Sequence, residues 1–92
     1  MSKQSVDEIL QSRSSTHGDY AKKCVTIQAI KHAMKDDKFC WDILPPDMQE
    51  SLEMFATKIG RIIHGDEECI DHWKDIEGYA RLISNRIEED NQ

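Results

Sequence analysis

The stretch PDMQESLEMFATKIGRIIHGDEECIDHWKDIEGYARLISNRIEE, residues 46–89, decides the fold. In its first part Leu52, Phe55, Ala56, Ile59, Ile62 and Ile63 recur at steps of three and four, the period of an amphipathic helix. Pro46 and Asp47 suit the first turn, where a missing N–H costs nothing and a carboxylate meets the positive helix end. Gly65 fits the position just past the last turn. In the second part Trp73, Ile76, Ala80, Ile83 and Ile87 share one face, with Tyr79 beside them. These spacings predict helices over about residues 46–64 and 68–89, and the short loop between them implies a long antiparallel hairpin.

Toward the N-terminus the same periodicity continues in shorter pieces. Ser5 followed by Glu8 reads as a capping box opening a helix over about residues 6–14, with Val6, Ile9 and Leu10 on its apolar edge. The polar run Ser14-Ser15-Thr16-His17-Gly18 breaks that pattern. Asp19 can cap a helix over about 19–35, in which Tyr20, Cys24, Ile27, Lys31 and Met34 form one stripe. Phe39, Trp41, Ile43 and Leu44 lie in a connector that ends at Pro45-Pro46 and reads as an apolar plug over the core. The expectation is a single all-α domain over residues 1–92, a four-helix bundle. Its last residues, Glu88 to Gln92, should fray.

Composition agrees with a small globular chain. Hydrophobic residues are 38% and charged residues 33% of the 92, and Gly and Pro are too few for many short strands. A chain this short buries only about two-thirds of its unfolded surface, so the core is thin and a homo-oligomer is expected. The net charge of −6 repels a long anionic polymer, which argues against coating DNA or RNA. The three cysteines are far apart and match no zinc-knuckle spacing, and no signal-peptide pattern opens the chain, which predicts a reduced cytoplasmic setting. No apolar run approaches the roughly 20 residues that span a bilayer.

Several polar residues stand out against this frame. Glu50, Glu53, Thr57, Arg61 and His64 fall on a stripe of the third helix that faces away from its apolar arc. The Glu50/Glu53 pair, at i and i+3, can share a divalent cation or belong to a solvated face. Asp71 and Asp75 are one turn apart on the fourth helix, and Asp75 sits at the border of the buried face. A carboxylate there needs a partner, either a metal ion or Lys58. His17, Asp19 and Tyr20 cluster at a helix start that attracts anions, or Asp19 serves as a plain cap. His64 and His72 are too scattered to argue zinc, and no nucleophile–base set or Gly-rich phosphate loop is present.

The motifs His17-Gly18-Asp19-Tyr20, Lys58-Ile59-Gly60-Arg61-Ile62, Gly65-Asp66 and Trp73-Lys74-Asp75-Ile76-Glu77-Gly78-Tyr79-Ala80 together resemble those of a family of small, mostly phage-encoded proteins. More distantly, the helix pair resembles the MazG-like all-α nucleoside triphosphate pyrophosphohydrolases, which hold Mg²⁺ with Glu-x-x-Glu on one helix and Glu-x-x-Asp on the next. Glu50-Ser51-Leu52-Glu53 fits the first element. In the second, His72 stands three before Asp75, and the nearest acid is Asp71. The resemblance implies a MazG-like bundle that assembles as an oligomer, with Mg²⁺ on Glu50, Glu53, Asp71 and Asp75. Lys58 and Arg61 would meet the phosphates, and His17, Asp19, Tyr20 and Tyr79 the rest of a nucleotide.

Two functions follow as expectations. One is Mg²⁺-dependent hydrolysis or binding of a nucleoside phosphate by a phage protein. The other is a non-catalytic accessory or anti-defence role, sequestering a nucleotide signal or binding a host protein. An acidic mimic of nucleic acid is a third, but −6 set among 12 basic residues is modest for one.

Overall fold

The computed structural model describes residues 5–17 and 19–92, with residues 14–17 by backbone alone. Five helices follow in order: α1 (Val6–His17), α2 (Tyr20–Met34), α3 (Lys38–Asp42), α4 (Pro46–His64) and α5 (Ile70–Asp90); the described residues contain no strand. The all-α expectation holds, with one helix more than the periodicity predicts. The extra one is α3. Asp37 caps it, accepting from the Cys40 N–H at 3.1 Å, so the connector coils into a turn and a half rather than running as a loop. Its plug role is divided: Trp41 and Leu44 are half-buried, while Phe39 and Ile43 face solvent.

The start signals act as their chemistry predicts. Glu8 N–H donates to Ser5 Oγ at 3.1 Å, and Lys22 N–H to Asp19 Oδ1 at 3.0 Å. α1 continues to His17, a turn beyond its expected end, because Ser and Thr weaken a helix only mildly and the strong breaker is not reached before position 18.

α4 is the central helix, with α5 on one flank, α2 on the other and α1 also against it. Two contacts set the register of the α4–α5 hairpin. Arg86 grips Asp47 with two bonds, at 2.6 and 3.1 Å, and Lys58 Nζ lies 2.6 Å from Asp75 Oδ2. The antiparallel hairpin is therefore as expected, but its facing is not. α5 turns His72, Ile76, Tyr79 and Ile83 inward, whereas Trp73 is 51% exposed and Ala80 and Ile87 are open. The apolar arc of α5 is wider than α4 can cover, and the Trp73 indole instead donates to the Glu67 carbonyl at 2.8 Å. Phe55, on the apolar face read from the spacing of α4, is half-buried.

The polar stripe of α4 also needs correcting. Being flanked by two helices, α4 has two covered sides, and Glu53, Thr57, Arg61 and His64 are all half-buried; Glu50 alone is open. Glu53 and His64 reach α2, where His64 Nε2 and Thr26 Oγ1 are 2.6 Å apart. Among the described residues only Ile27, at 7% exposure, and Ala56, at 1%, are buried apolar side chains. The core is thin indeed.

Gly60 governs the α2–α4 contact. A Cβ there would collide with Ile27 Cγ1, stand 2.8 Å from its Cδ1 and 3.3 Å from Lys23 Cγ. Gly78, in the middle of α5, has open space around it. The two glycines therefore predict opposite responses to the same substitution. Gly60→Ala gains about 1 kcal/mol of helix propensity but overpacks a tight contact at a cost of about 1–3 kcal/mol, and its Tm should fall. Gly78→Ala meets nothing and should stabilise by about 0.5–1 kcal/mol, raising Tm at about 4–8 °C per kcal/mol. Thermal unfolding of the two variants checks this, and a rise in both would remove the close approach as a constraint.

Candidate functional site

The residues with unusual environments lie along the central helix α4, where Arg61 acts on Lys23 of α2 and on Asp75 of α5. Lys23 lies one turn into α2, its amide bonded to the Asp19 carbonyl at 2.9 Å. Its aliphatic stem runs over Gly60, which lets a lysine be buried to 9% exposure. The Lys23 ammonium stands 5.2 Å above the Tyr20 ring centre. Lys58 and Arg61 follow one turn apart on α4, and His72 and Asp75 on α5. Lys58 is 6% exposed and His72 2%.

The electrostatics are lopsided. Asp75 is the partner of Lys58, and that hydrogen bond, more than the nearby charges of His72 and Arg61, holds its carboxyl below the usual range. Lys23 is pushed down, first by burial and then by the charge of Arg61. Among the described residues no carboxylate lies within ion-pair distance of Lys23 or Arg61. Arg61 Nε is the one buried side-chain nitrogen or oxygen among them that has no hydrogen-bond partner. Lys58 and Arg61 thus share one nearby carboxylate, Asp75, and Arg61 also faces Lys23, in a chain whose net charge is −6.

Of the residues singled out in the sequence, the fold brings Lys58, Arg61 and Asp75 together, with Tyr20 beside them under Lys23. Asp19 caps α2, the plain role that its position allowed. Tyr79 is half-buried one turn beyond Asp75, lining a shallow cleft with Lys74, Gly78 and Leu82. The His17 side chain and Gly18 lie outside the described residues.

The four carboxylates proposed for Mg²⁺ are not gathered within one chain. Glu53 is held by Lys35 at 3.1 Å and Lys31 at 3.9 Å on the α2 side, and Asp75 by Lys58 on the α5 side. With Lys58 opposite Asp75, Glu50 lies eight residues away along α4, about 12 Å at 1.5 Å per residue. Asp71 lies a further turn in the opposite direction. Glu50 and Asp71 are exposed, and no three His, Cys, Asp or Glu side chains among the described residues are grouped to hold a metal ion. The donor set does not fit a single Mg²⁺ as the chain is folded.

Lys23 and His72 are members of the cluster that the sequence did not suggest. A signal existed for each. Lys23 is three residues after Tyr20 and four before Ile27, so it belongs to the α2 stripe, and His72 is four before Ile76. Comparison with known proteins adds no relative: no family model, no curated protein and no solved structure matches the chain.

The Lys58–Asp75 pair makes a prediction with a definite sign. A carboxyl whose folded pKa is depressed contributes stability that is present above its unfolded value and lost as pH falls through the folded value. Asp75→Ala should therefore lower Tm at neutral pH, where Glu88→Ala, on the exposed end of α5, leaves it unchanged. The gap between wild type and Asp75→Ala should close on acidification. Adding Lys58→Met to Asp75→Ala should recover stability, because it removes the unpaired buried cation. Equal melting of Asp75→Ala and Glu88→Ala at pH 7 would show that the pair carries no weight.

Proposed function

We propose that this protein captures a small phosphorylated ligand of the nucleoside-phosphate class, with Lys23, Lys58 and Arg61 on its phosphates and the exposed Tyr20 ring available to its base. The observation that carries this is the buried, unpartnered Arg61 Nε. A buried donor without an acceptor costs about 1–3 kcal/mol, and a phosphate oxygen supplied from outside the chain removes that cost. A guanidinium beside two ammonium groups matches the charge and geometry of a phosphate chain. The acidic remainder of the chain favours a compact anion over a long polymer.

Binding is preferred to Mg²⁺-dependent hydrolysis because the four carboxylates stand apart. Each oxyanion of the ligand would meet a side-chain N–H rather than a metal ion. With the resemblance to small phage-encoded proteins, sequestration of a nucleotide in the infected host is the role that follows. Inhibition of a host protein would leave the cationic cluster without a purpose.

The test is thermal unfolding with nucleoside mono-, di- and triphosphates and with inorganic pyrophosphate, each with and without Mg²⁺. A ligand at one hundred times its Kd stabilises by about 2.7 kcal/mol, so Tm should rise for the preferred compound, and should do so without metal. High salt should shrink the rise. Lys23→Gln and Arg61→Gln should abolish it. Lys23→Gln should also match or exceed the wild-type Tm without ligand, since it relieves a buried, unpaired charge. No shift with any phosphate compound, or an undiminished shift in both variants, overturns the proposal.

A further inference from the structure

The two buried lysines are buried differently. Lys58 gives its ammonium to Asp75 at 2.6 Å. Lys23 has no carboxylate within ion-pair distance among the described residues. Its stem is packed over Gly60, while its nitrogen stands 5.2 Å above the ring of Tyr20, a residue 76% exposed. The stem is therefore dry, and the amine sits at the open end of the contact. The groups that act on this nitrogen are the Tyr20 ring and Cys24 on its own helix and the Arg61 guanidinium on α4. None of them is a carboxylate.

That setting favours a neutral amine. Taking a cation out of water without a counter-charge disfavours the charged form, and a second cation beside it adds to the effect. Burial comes first here and the charge of Arg61 second, and Cys24 opposes them only in part. A neutral lysine carries a lone pair, and desolvation or a neighbouring cation is what turns a lysine into a nucleophile for carbonyl compounds. Arg61 supplies a further element, since its buried Nε has no hydrogen-bond partner and suits an anion carried by the same molecule.

We propose that Lys23 captures a phosphorylated aldehyde or ketone as an imine, with Arg61 holding the phosphate and the Tyr20 ring flanking the carbonyl carbon. The Nζ lone pair attacks the carbonyl carbon, and the C=O π pair moves onto oxygen. That oxygen leaves as water with the two amine hydrogens, and a C=N double bond remains. Nothing is oxidised or reduced, so capture needs no co-reactant, and hydration reverses it. For ligands that carry a carbonyl, Lys23 thus meets carbon rather than phosphate. The capture rests on the nucleotide reading above only in giving the anion to Arg61.

Glyceraldehyde 3-phosphate and plain glyceraldehyde, each with cyanoborohydride at neutral pH, test this on the intact chain. The hydride reduces an imine to a secondary amine that survives digestion, so peptide mass spectrometry locates the lysines that reacted. Lys22, the exposed neighbour in sequence, is the internal reference. Lys23 should be labelled severalfold faster than Lys22 by the phosphorylated aldehyde, and faster by it than by plain glyceraldehyde. Both preferences should vanish in denaturant, where the two lysines are equally solvated. Arg61→Gln, its helices checked by circular dichroism, should lose the preference for the phosphorylated compound. Native Lys23 labelled no faster than Lys22 overturns the proposal, even where nucleotides raise Tm. Equal rates with the two aldehydes overturn it as well, because no anion site then lies beside the amine. Selective labelling of Lys23 without any nucleotide effect on Tm upholds the capture and removes the nucleotide class alone.

Discussion

Position 60 has no side chain, and much of the molecule depends on that. Only a glycine lets α2 settle against α4 closely enough for Ile27 to reach the core, where it is one of two buried apolar side chains among the described residues. The same approach lays the Lys23 stem across the α4 backbone. Four residues farther along α4, His64 meets Thr26 at 2.6 Å. A methyl group at position 60 would act on all three contacts at once, since interiors are packed too densely to absorb it locally. One missing Cβ therefore links the packing of the fold to the burial of its cationic cluster.

That cluster runs against the character of the chain. Eighteen acidic side chains outnumber twelve basic ones, yet around Arg61 of α4 the balance is reversed. Structural ion pairs elsewhere are matched: Arg86 with Asp47 and Asp90, and Glu53 with Lys35. Lys58 is matched as well. Lys23 and Arg61 have no carboxylate partner among the described residues, and the charge of Arg61 is part of what lowers the pKa of Lys23, after burial. Selection for stability alone favours replacing such groups with apolar ones of similar volume. Their presence is the argument for a ligand.

The fold was more legible than the site, for a physical reason. Helix starts depend on short-range chemistry, so Ser5, Asp19 and Pro46 could be read directly. The hairpin followed from the length of its two apolar runs. What could not be read was how far each helix is rotated, because that depends on neighbours distant in sequence. Spacing puts Trp73 and Phe55 on the apolar faces of their helices, but α5 has more apolar arc than α4 can cover, so Trp73 is left exposed. The stripe through Glu53, Thr57 and Arg61 looked solvated because a helix with one covered face was assumed; α4 has two. Lys58 and Arg61 could be named in advance, while Lys23 joins them only because Gly60 lies opposite, a pairing that no local spacing encodes.

The cap of α3 has an effect beyond ending a loop. Asp37 accepts from Cys40 twice, from its amide at 3.1 Å and from its Sγ at 3.2 Å. The carboxylate is stabilised by those donors, and the thiol is pushed up in turn, chiefly by its bond to Asp37. The thiolate is the species that alkylates, oxidises and exchanges with disulfides. Cys40 is exposed on a short helix, where an ordinary cysteine would invite cross-linking between molecules. Its bond to Asp37 lowers the fraction of thiolate at Cys40, so the carboxylate that caps the helix also makes the exposed sulfur a poorer nucleophile.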